Sequence, residues 1–452
     1  MSNIGNAELL RELSSAKKKS TGYKRMTALF DVDSFVEIDC FAKSGSDDTE
    51  AVAGFGTIEG CPAYAFAQNS DIAGGAMSKA QAAKISKLYA MAVKTGAPVI
   101  GLYDSVGGRL QEGTDLLAAY GEILLHSNNL SGVVPQISVI LGPCVGTSAM
   151  IAAGADLVVM TEKGELTVST DGEGGSAEEA AKLGLSHLTV TDEKDAFRVI
   201  HRLISILPSN NLSGNSILNI QSENGVPAPN SEAGMKDIIA FVCDDNSFLE
   251  LGESFGEPTV TGLAEIGGSV AGVVFLKGVI GADACSKAAR FVRFCDSFSI
   301  PLVTLVDAEK FETLREASKL SSSYSEATTP KVTVITGTAC GSVYIAAAGR
   351  GANADYTMAW ADAVVSPLAP ETAAEFLWHS RLAGSENPEK DRKKLVEEYK
   401  KTEAAPFAAA ANGFVEDIIL PEETRSKVIA GLEMLAGKRV SGLPKKHSNI
   451  QL

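Results

Sequence analysis

Four stretches in the first half of this 452-residue chain return in the second half in the same order. Ser34-Phe35-Val36-Glu37 returns as Ser247-Phe248-Leu249-Glu250, and Ser78-Lys79-Ala80 as Ser286-Lys287-Ala288. Pro98-Val99-Ile100, closing on Asp104, returns as Pro301-Leu302-Val303, closing on Asp307. Pro135-Gln136-Ile137-Ser138-Val139-Ile140, running into Gly142 and Gly146, returns as Pro330-Lys331-Val332-Thr333-Val334-Ile335, running into Gly337 and Gly341. The separation shrinks steadily, from 213 residues through 208 and 203 to 195. Order kept while spacing shrinks implies two homologous domains fused in tandem, each about the size that fills one core. A doubled domain makes two related sites, which points to an enzyme that handles two similar chemical groups.

The pattern within each copy is α/β. Thr57 to Ala67 alternates around Gly60 like a hairpin, and Ser78 to Thr95 carries Ile85, Leu88, Met91 and Ala92 at helical spacing. Val99–Tyr103 and Ile137–Leu141 are short apolar runs that read as buried strands, with Gly121–Leu130 and Ser148–Ala153 as the helices between and after them. Strand, helix, strand, helix with short turns implies layered packing. The boundaries expected are an N-terminal arm over 1–24, a first domain over 25–222, a second over 232–440 and a frayed tail over 441–452. The join falls in Asn210–Ser231, where Asn224-Gly-Val-Pro-Ala-Pro229 cannot continue a helix. Ser385–Lys401 is highly charged and reads as an exposed helix.

A net charge of −16 argues against nucleic acid or an anionic membrane as the main partner. Lys84, Lys87 and Lys94 form either one solvated helix face or a local basic patch for a phosphorylated ligand. Seven cysteines (40, 61, 144, 243, 285, 295 and 340) lie in apolar stretches without metal-type pairing, as reduced thiols in a cytosol do. No secretory signal is visible at Met1–Glu12, and no apolar run approaches the roughly 18 residues that span a bilayer. A cytoplasmic protein is expected, held at a membrane only if a partner takes it there.

Gly142-Pro-Cys-Val-Gly146-Thr147-Ser148-Ala149-Met150 reads as a strand ending at a tight turn, with small residues opening a helix. Backbone N–H groups at such a corner have no internal partner. It is either a close-packed turn or a cradle for a developing oxyanion, as in acyl-transfer and enolate chemistry. The second half supplies the same corner at Gly337-Thr338-Ala339-Cys340-Gly341-Ser342-Val343. Gly107-Gly108-Arg109-Leu110-Gln111-Glu112-Gly113 follows the strand at Val99 and suggests another tight loop. It has neither a dinucleotide fingerprint nor a P-loop. Arg109 either pairs with Glu112 to fix this loop or contacts a ligand. The five histidines sit apart without metal-ligand spacing, and no nucleophile elbow occurs.

These residues resemble the carboxyltransferase (beta-type) subunit of biotin-dependent acyl-CoA carboxylases and of the related acyl-CoA decarboxylases, over nearly all of 25–435. The resemblance is carried by Asp104-Ser-Val-Gly-Gly-Arg-Leu-Gln-Glu-Gly113, Ser131-Gly-Val-Val-Pro-Gln-Ile-Ser138, Gly142-Pro-Cys144 and Leu207-Pro-Ser-Asn-Asn211. In the second half it is carried by Lys287-Ala-Ala-Arg-Phe-Val-Arg-Phe-Cys-Asp296, Ile300-Pro-Leu-Val-Thr-Leu-Val-Asp307 and Pro330-Lys-Val-Thr-Val-Ile335. It implies an α/β fold of two tandem crotonase-like (ClpP/crotonase) domains built from stacked ββα units. It also implies a homo-hexamer, a trimer of dimers, with each active site between the first domain of one chain and the second domain of a neighbour.

The substrates implied are a coenzyme A thioester and N-carboxybiotin on a separate biotin carrier protein. The partner would be a biotin carboxylase subunit or a membrane decarboxylase subunit. By resemblance the first oxyanion pair falls on Gly146 and Thr147, for the thioester enolate. The second falls around Gly341, Ser342 and Val343, for charge on the biotin ureido oxygen. Gly107, Gly108, Arg109 and Ile345 are the substrate-binding positions implied. Thr147 and Ser342 stand where the family typically has glycine, and the segments after Met160 and Asp307 are trimmed. Two further readings compete: a biotin-independent crotonase-type enzyme on a CoA thioester, and an inactive scaffold paralogue. Gly234-Met-Lys-Asp237 is read as the start of the second domain, so no biotin is carried on this chain.

Overall fold

A computed structural model of the chain describes residues 5–449 apart from 170, 215–223, 231, 232, 384, 386, 441 and 443. Much of the expected join, and the end of the expected tail, lie outside the described residues. The chain divides into two compact units, Met1–Gly214 and Asn215–Leu452. Described residues of the expected tail are tied down by Lys445, whose Nζ donates to Glu326 at 2.8 Å.

In the first unit Ala51–Ile58 and Cys61–Gln68 form the antiparallel hairpin read from the sequence. Asp31 locks its turn, accepting from the amides of Glu59 and Gly60. The sheet then continues parallel through Val99–Ser105, Gln136–Val145, Leu157–Thr161 and Leu188–Val190. Such strands are buried on both faces, which is why the apolar runs are continuous rather than alternating. Pro98 and Pro135 stand just ahead of their strands, where a missing N–H costs nothing, and their carbonyls accept from Tyr64 and Val99.

The helix Lys79–Thr95 is capped by Ser78, whose hydroxyl accepts from the Gln81 amide, and it buries Ile85, Leu88, Tyr89 and Ala92. Each large apolar side chain so buried contributes about 1.5–3 kcal/mol. Asp115–Leu130 is helical from six residues earlier than the sequence pattern begins. The arm is helical at Asn6–Lys17, which buries nothing, and at Thr21–Leu29, where Met26 and Leu29 enter the core.

The second unit repeats this plan. A hairpin of Val260–Ile266 and Ser269–Ile280 leads into parallel Leu302–Phe311, Lys331–Cys340, Tyr356–Trp360 and Asp417–Ile419. Asp244 locks the turn as Asp31 does, accepting from Gly267 and Gly268. Pro301 and Pro330 accept from Gly272 and Leu302.

One shared irregularity shapes both units. In the first, Tyr103 pairs with Ile140 and Ser105 then pairs with Cys144, so the longer strand carries two extra residues. In the second, Val306 pairs with Ile335 and Ala308 with Ala339. The central strand bends there, and its far end leaves its first neighbour for another strand. Pro143–Val145 pairs with Glu165–Thr167, and Thr338–Cys340 pairs with Val364–Ser366. The strand therefore runs past Gly142, where the sequence pattern ends it, because the fork supplies new partners.

At the bend the skipped residue is Asp104 or Asp307, and its carboxylate occupies the space beside Gly142 or Gly337. An added Cβ at either glycine would collide with that carboxylate. Gly142→Ala and Gly337→Ala are each expected to cost about 1–3 kcal/mol. A urea midpoint lowered at constant slope is the check.

Two readings of charged segments change. Lys84 is neither on a solvated face nor in a basic patch: it is buried, with Nζ 2.7 Å from Glu37, and burial pushes its pKa down. Lys87 is exposed but pairs with Asp39 at 2.6 Å. The charged helix Pro388–Lys401 is not exposed on all sides, since Leu395, Val396 and Tyr399 pack against Ala373, Ala374 and Ala404. All seven cysteines are free thiols, five of them buried, and burial pushes that of Cys340 up to about 11.

Candidate active site: two matching amide corners

Each fork delivers its strand into a turn that opens a short helix. Gly146 lies at φ 66° and Gly341 at φ 48°, the left-handed region that glycine adopts without strain. The Gly146 amide donates to the Thr167 carbonyl at 2.9 Å, and the Gly341 amide to the Ser366 carbonyl at 2.8 Å. Both acceptors are the last residues of the forked partner strands. The first expected donor in each corner is therefore occupied by the sheet itself, and Gly146 and Gly341 are not the open amides.

The open ones follow them. The amides of Thr147 and Ser148, and those of Ser342 and Val343, have no acceptor among the described residues. The Cβ atoms of Thr147 and Ser342 leave those N–H groups in place. Ser148 was missed by sequence reasoning, although the repeat held the signal: Gly341-Ser342-Val343 aligns with Gly146-Thr147-Ser148. Behind the first corner the Ser148 hydroxyl lies 3.3 Å from the Tyr120 hydroxyl, and burial raises the Tyr120 pKa. Behind the second, the Ser366 hydroxyl meets that of Tyr399 at 3.0 Å, so the charged helix supports this corner.

The two helices differ. Thr147–Ala153 is α-helical, whereas Tyr344–Ala348 is a π-turn closed by the Gly349 amide on the Tyr344 carbonyl. Ile345 lies on this turn and is 60% exposed.

Asp104 is held on two sides, by Arg25 Nη1 at 2.7 Å and the Ser70 hydroxyl at 2.9 Å. Arg25 also reaches Glu193, with Nε at 3.0 Å, and so joins the Thr21–Leu29 helix to the bend. Asp307 accepts from the Thr338 amide at 2.9 Å instead.

The loop after Val99–Ser105 lies along the first corner: Ser105 pairs with Cys144, and Gly107 is next to Val145. Arg109 does not pair with Glu112. Its Nε lies 2.5 Å from Glu50, and Glu112 caps the neighbouring helix by accepting from the Lys79 amide at 2.6 Å. A carboxylate at a helix start complements its dipole, which is why Glu112 is drawn there. Gly108 is packed against Leu116.

Leu302–Phe311 runs on past Asp307, pairing Lys310 with Val279 and Phe311 with Ile280, before helix Arg315–Glu326. Among the described residues there is no cluster of His, Cys, Asp or Glu that could hold a metal ion, and no helix is long and apolar enough to cross a membrane.

Two parallel-rich sheets, each forking into an amide corner, limit the fold to few families, and comparison decides between them. The carboxyl transferase domain family matches residues 14–450. The chain belongs to this family. It is 35% identical to the methylmalonyl-CoA decarboxylase subunit alpha of Veillonella parvula, over 99% of this chain and 96% of that protein. It is 36% identical to the propionyl-CoA carboxylase beta chain of Saccharopolyspora erythraea, over 97% and 91%. The transcarboxylase 12S crystal structure, described as a hexamer with methylmalonyl-coenzyme A bound, superposes with a TM-score of 0.88 at 32% identity. That match covers 98% of this chain and 94% of the other. The carboxyl transferase described here is thus an enzyme of biotin-dependent acyl-CoA carboxylase and decarboxylase complexes, with two crotonase-like units.

Proposed function

We propose that this carboxyl transferase moves a carboxyl group between biotin and a short acyl-CoA, with one amide corner serving each reactant. The repeated pair of open amides carries the reading: Thr147 and Ser148 in the first unit, Ser342 and Val343 in the second. Preorganised N–H donors stabilise charge where it develops, each contributing about 2.7–4 kcal/mol. The first pair would hold the thioester oxygen as the α-carbon loses its proton and becomes an enolate. The second pair would accept the ureido oxygen of biotin, a carbonyl whose negative charge grows as the carboxyl group leaves. N-carboxybiotin, carried by a separate protein, would release its carboxyl group as carbon dioxide by cleavage of the N–C bond. The biotin anion left behind would take the α-proton, and the enolate carbon would then bond to the carbon dioxide. No side chain of this chain then has to act as acid or base, which fits the absence of histidine from either corner.

Exposed Ile345 would give an apolar contact to a short acyl chain, and Gly107 to Arg109 would border the thioester. The relatives named for methylmalonyl-CoA and propionyl-CoA support a three-carbon acyl group. The hexamer of transcarboxylase 12S supports the same assembly here, with reaction direction set by a biotin carboxylase or a membrane decarboxylase partner.

Purified protein given methylmalonyl-CoA and free biotin is expected to form propionyl-CoA, with little product when biotin is left out. Turnover independent of biotin would remove biotin from the reading. Neither turnover nor thioester binding would make the chain a scaffold.

A further inference from the structure

We propose that Glu50 is a positioning residue for the thioester half of the site, acting through Arg109. Glu50 is wholly buried immediately before the hairpin strand Ala51–Ile58, an unusual place for a carboxylate. Its backbone is fixed, the carbonyl accepting from the Asn69 amide at 2.8 Å and from Gln81 Nε2 at 2.9 Å. One carboxylate oxygen accepts from the Ser78 hydroxyl at 2.6 Å. The other lies 2.5 Å from Arg109 Nε, a close ionic contact rather than an aligned hydrogen bond.

Arg109 is held at its other atoms too, with Nη1 donating to Ser44 at 3.2 Å and its amide to the Met77 carbonyl at 2.8 Å. The Met77 amide returns to the Gly107 carbonyl at 2.8 Å, and the Gly107 amide donates to the Ser105 hydroxyl. Glu50 thus anchors, through one guanidinium, the loop that passes beside Val145 at the first corner. With its charge spent on Glu50, Arg109 sets where the loop lies instead of binding the ligand itself. A shift of about 1 Å in such a loop is enough to spoil placement of a reactant.

The inference rests on the carboxyl transferase reading, and the test separates the two. Glu50→Gln is expected to raise the calorimetric Kd for propionyl-CoA about tenfold, and the KM for methylmalonyl-CoA with it, while the KM for biotin stays unchanged. The apolar pair Glu50→Met with Arg109→Met removes both charges together and so avoids a lone buried charge. It is expected to fold and to keep the raised Kd. A purely structural role predicts wild-type Kd in that double variant and overturns the inference. So does a raised Kd in Arg109→Met alone with none in Glu50→Gln, which would make Arg109 a direct contact. If the wild type binds propionyl-CoA but transfers no carboxyl group, the function reading fails, and the Kd comparison still decides the role of Glu50.

Discussion

Thr147→Pro is expected to lower kcat for carboxyl transfer by roughly 10²–10³-fold while the protein stays folded. Thr147 is the first helical residue of the first corner, the position where proline is best tolerated, because the missing N–H has no helical acceptor and the fixed φ suits the helix. The substitution deletes one open amide and little else. Ser342→Pro is expected to do the same in the second unit. Gly146→Pro is no substitute for either variant. It would force φ from +66° to about −65° and break the bond to Thr167, so its loss of activity would report on folding. Circular dichroism together with steady-state kinetics is the check. Wild-type kcat in a folded Thr147→Pro protein would remove the first corner from the mechanism.

Arg25→Met is expected to destabilise the protein by about 3 kcal/mol, the lower end of the range for breaking a buried ion pair. Arg25 is only 8% exposed and sits between Asp104, 14% exposed, and Glu193, 42% exposed. Solvent screens the Glu193 arm, so most of the cost arises at Asp104, left without its cation against Gly142. The double variant Arg25→Met with Asp104→Asn is expected to recover part of the loss, because no bare carboxylate remains. Urea unfolding of wild type, both single variants and the double variant forms the cycle that measures the coupling. A coupling near zero would show that the Arg25–Asp104 pair does not help hold the Thr21–Leu29 helix to the bend.

Much of the fold was legible because it depends on local pattern. The apolar runs at Val99 and Ile137, the prolines ahead of them and the Ser78 cap each specify their element without help from distant residues. The repeat made the two-unit plan visible, and the glycines marked both turns. Charged residues were harder to read. Lys84 looks like a surface residue until Glu37, 47 positions away, is brought beside it. Arg109 has a plausible partner three residues on, yet the fold gives it Glu50.

The sequence by itself determined that there are two alike halves, each with a strand that ends in a glycine turn opening a helix, because strand, turn and cap chemistry act over a few residues. Only the tertiary structure decided which amides in those turns are open. The fork brings Thr167 to Gly146 and Ser366 to Gly341, and a hydrogen bond between backbone groups leaves no trace in side-chain identity. The open amides therefore lie one and two residues past the glycines that announce them.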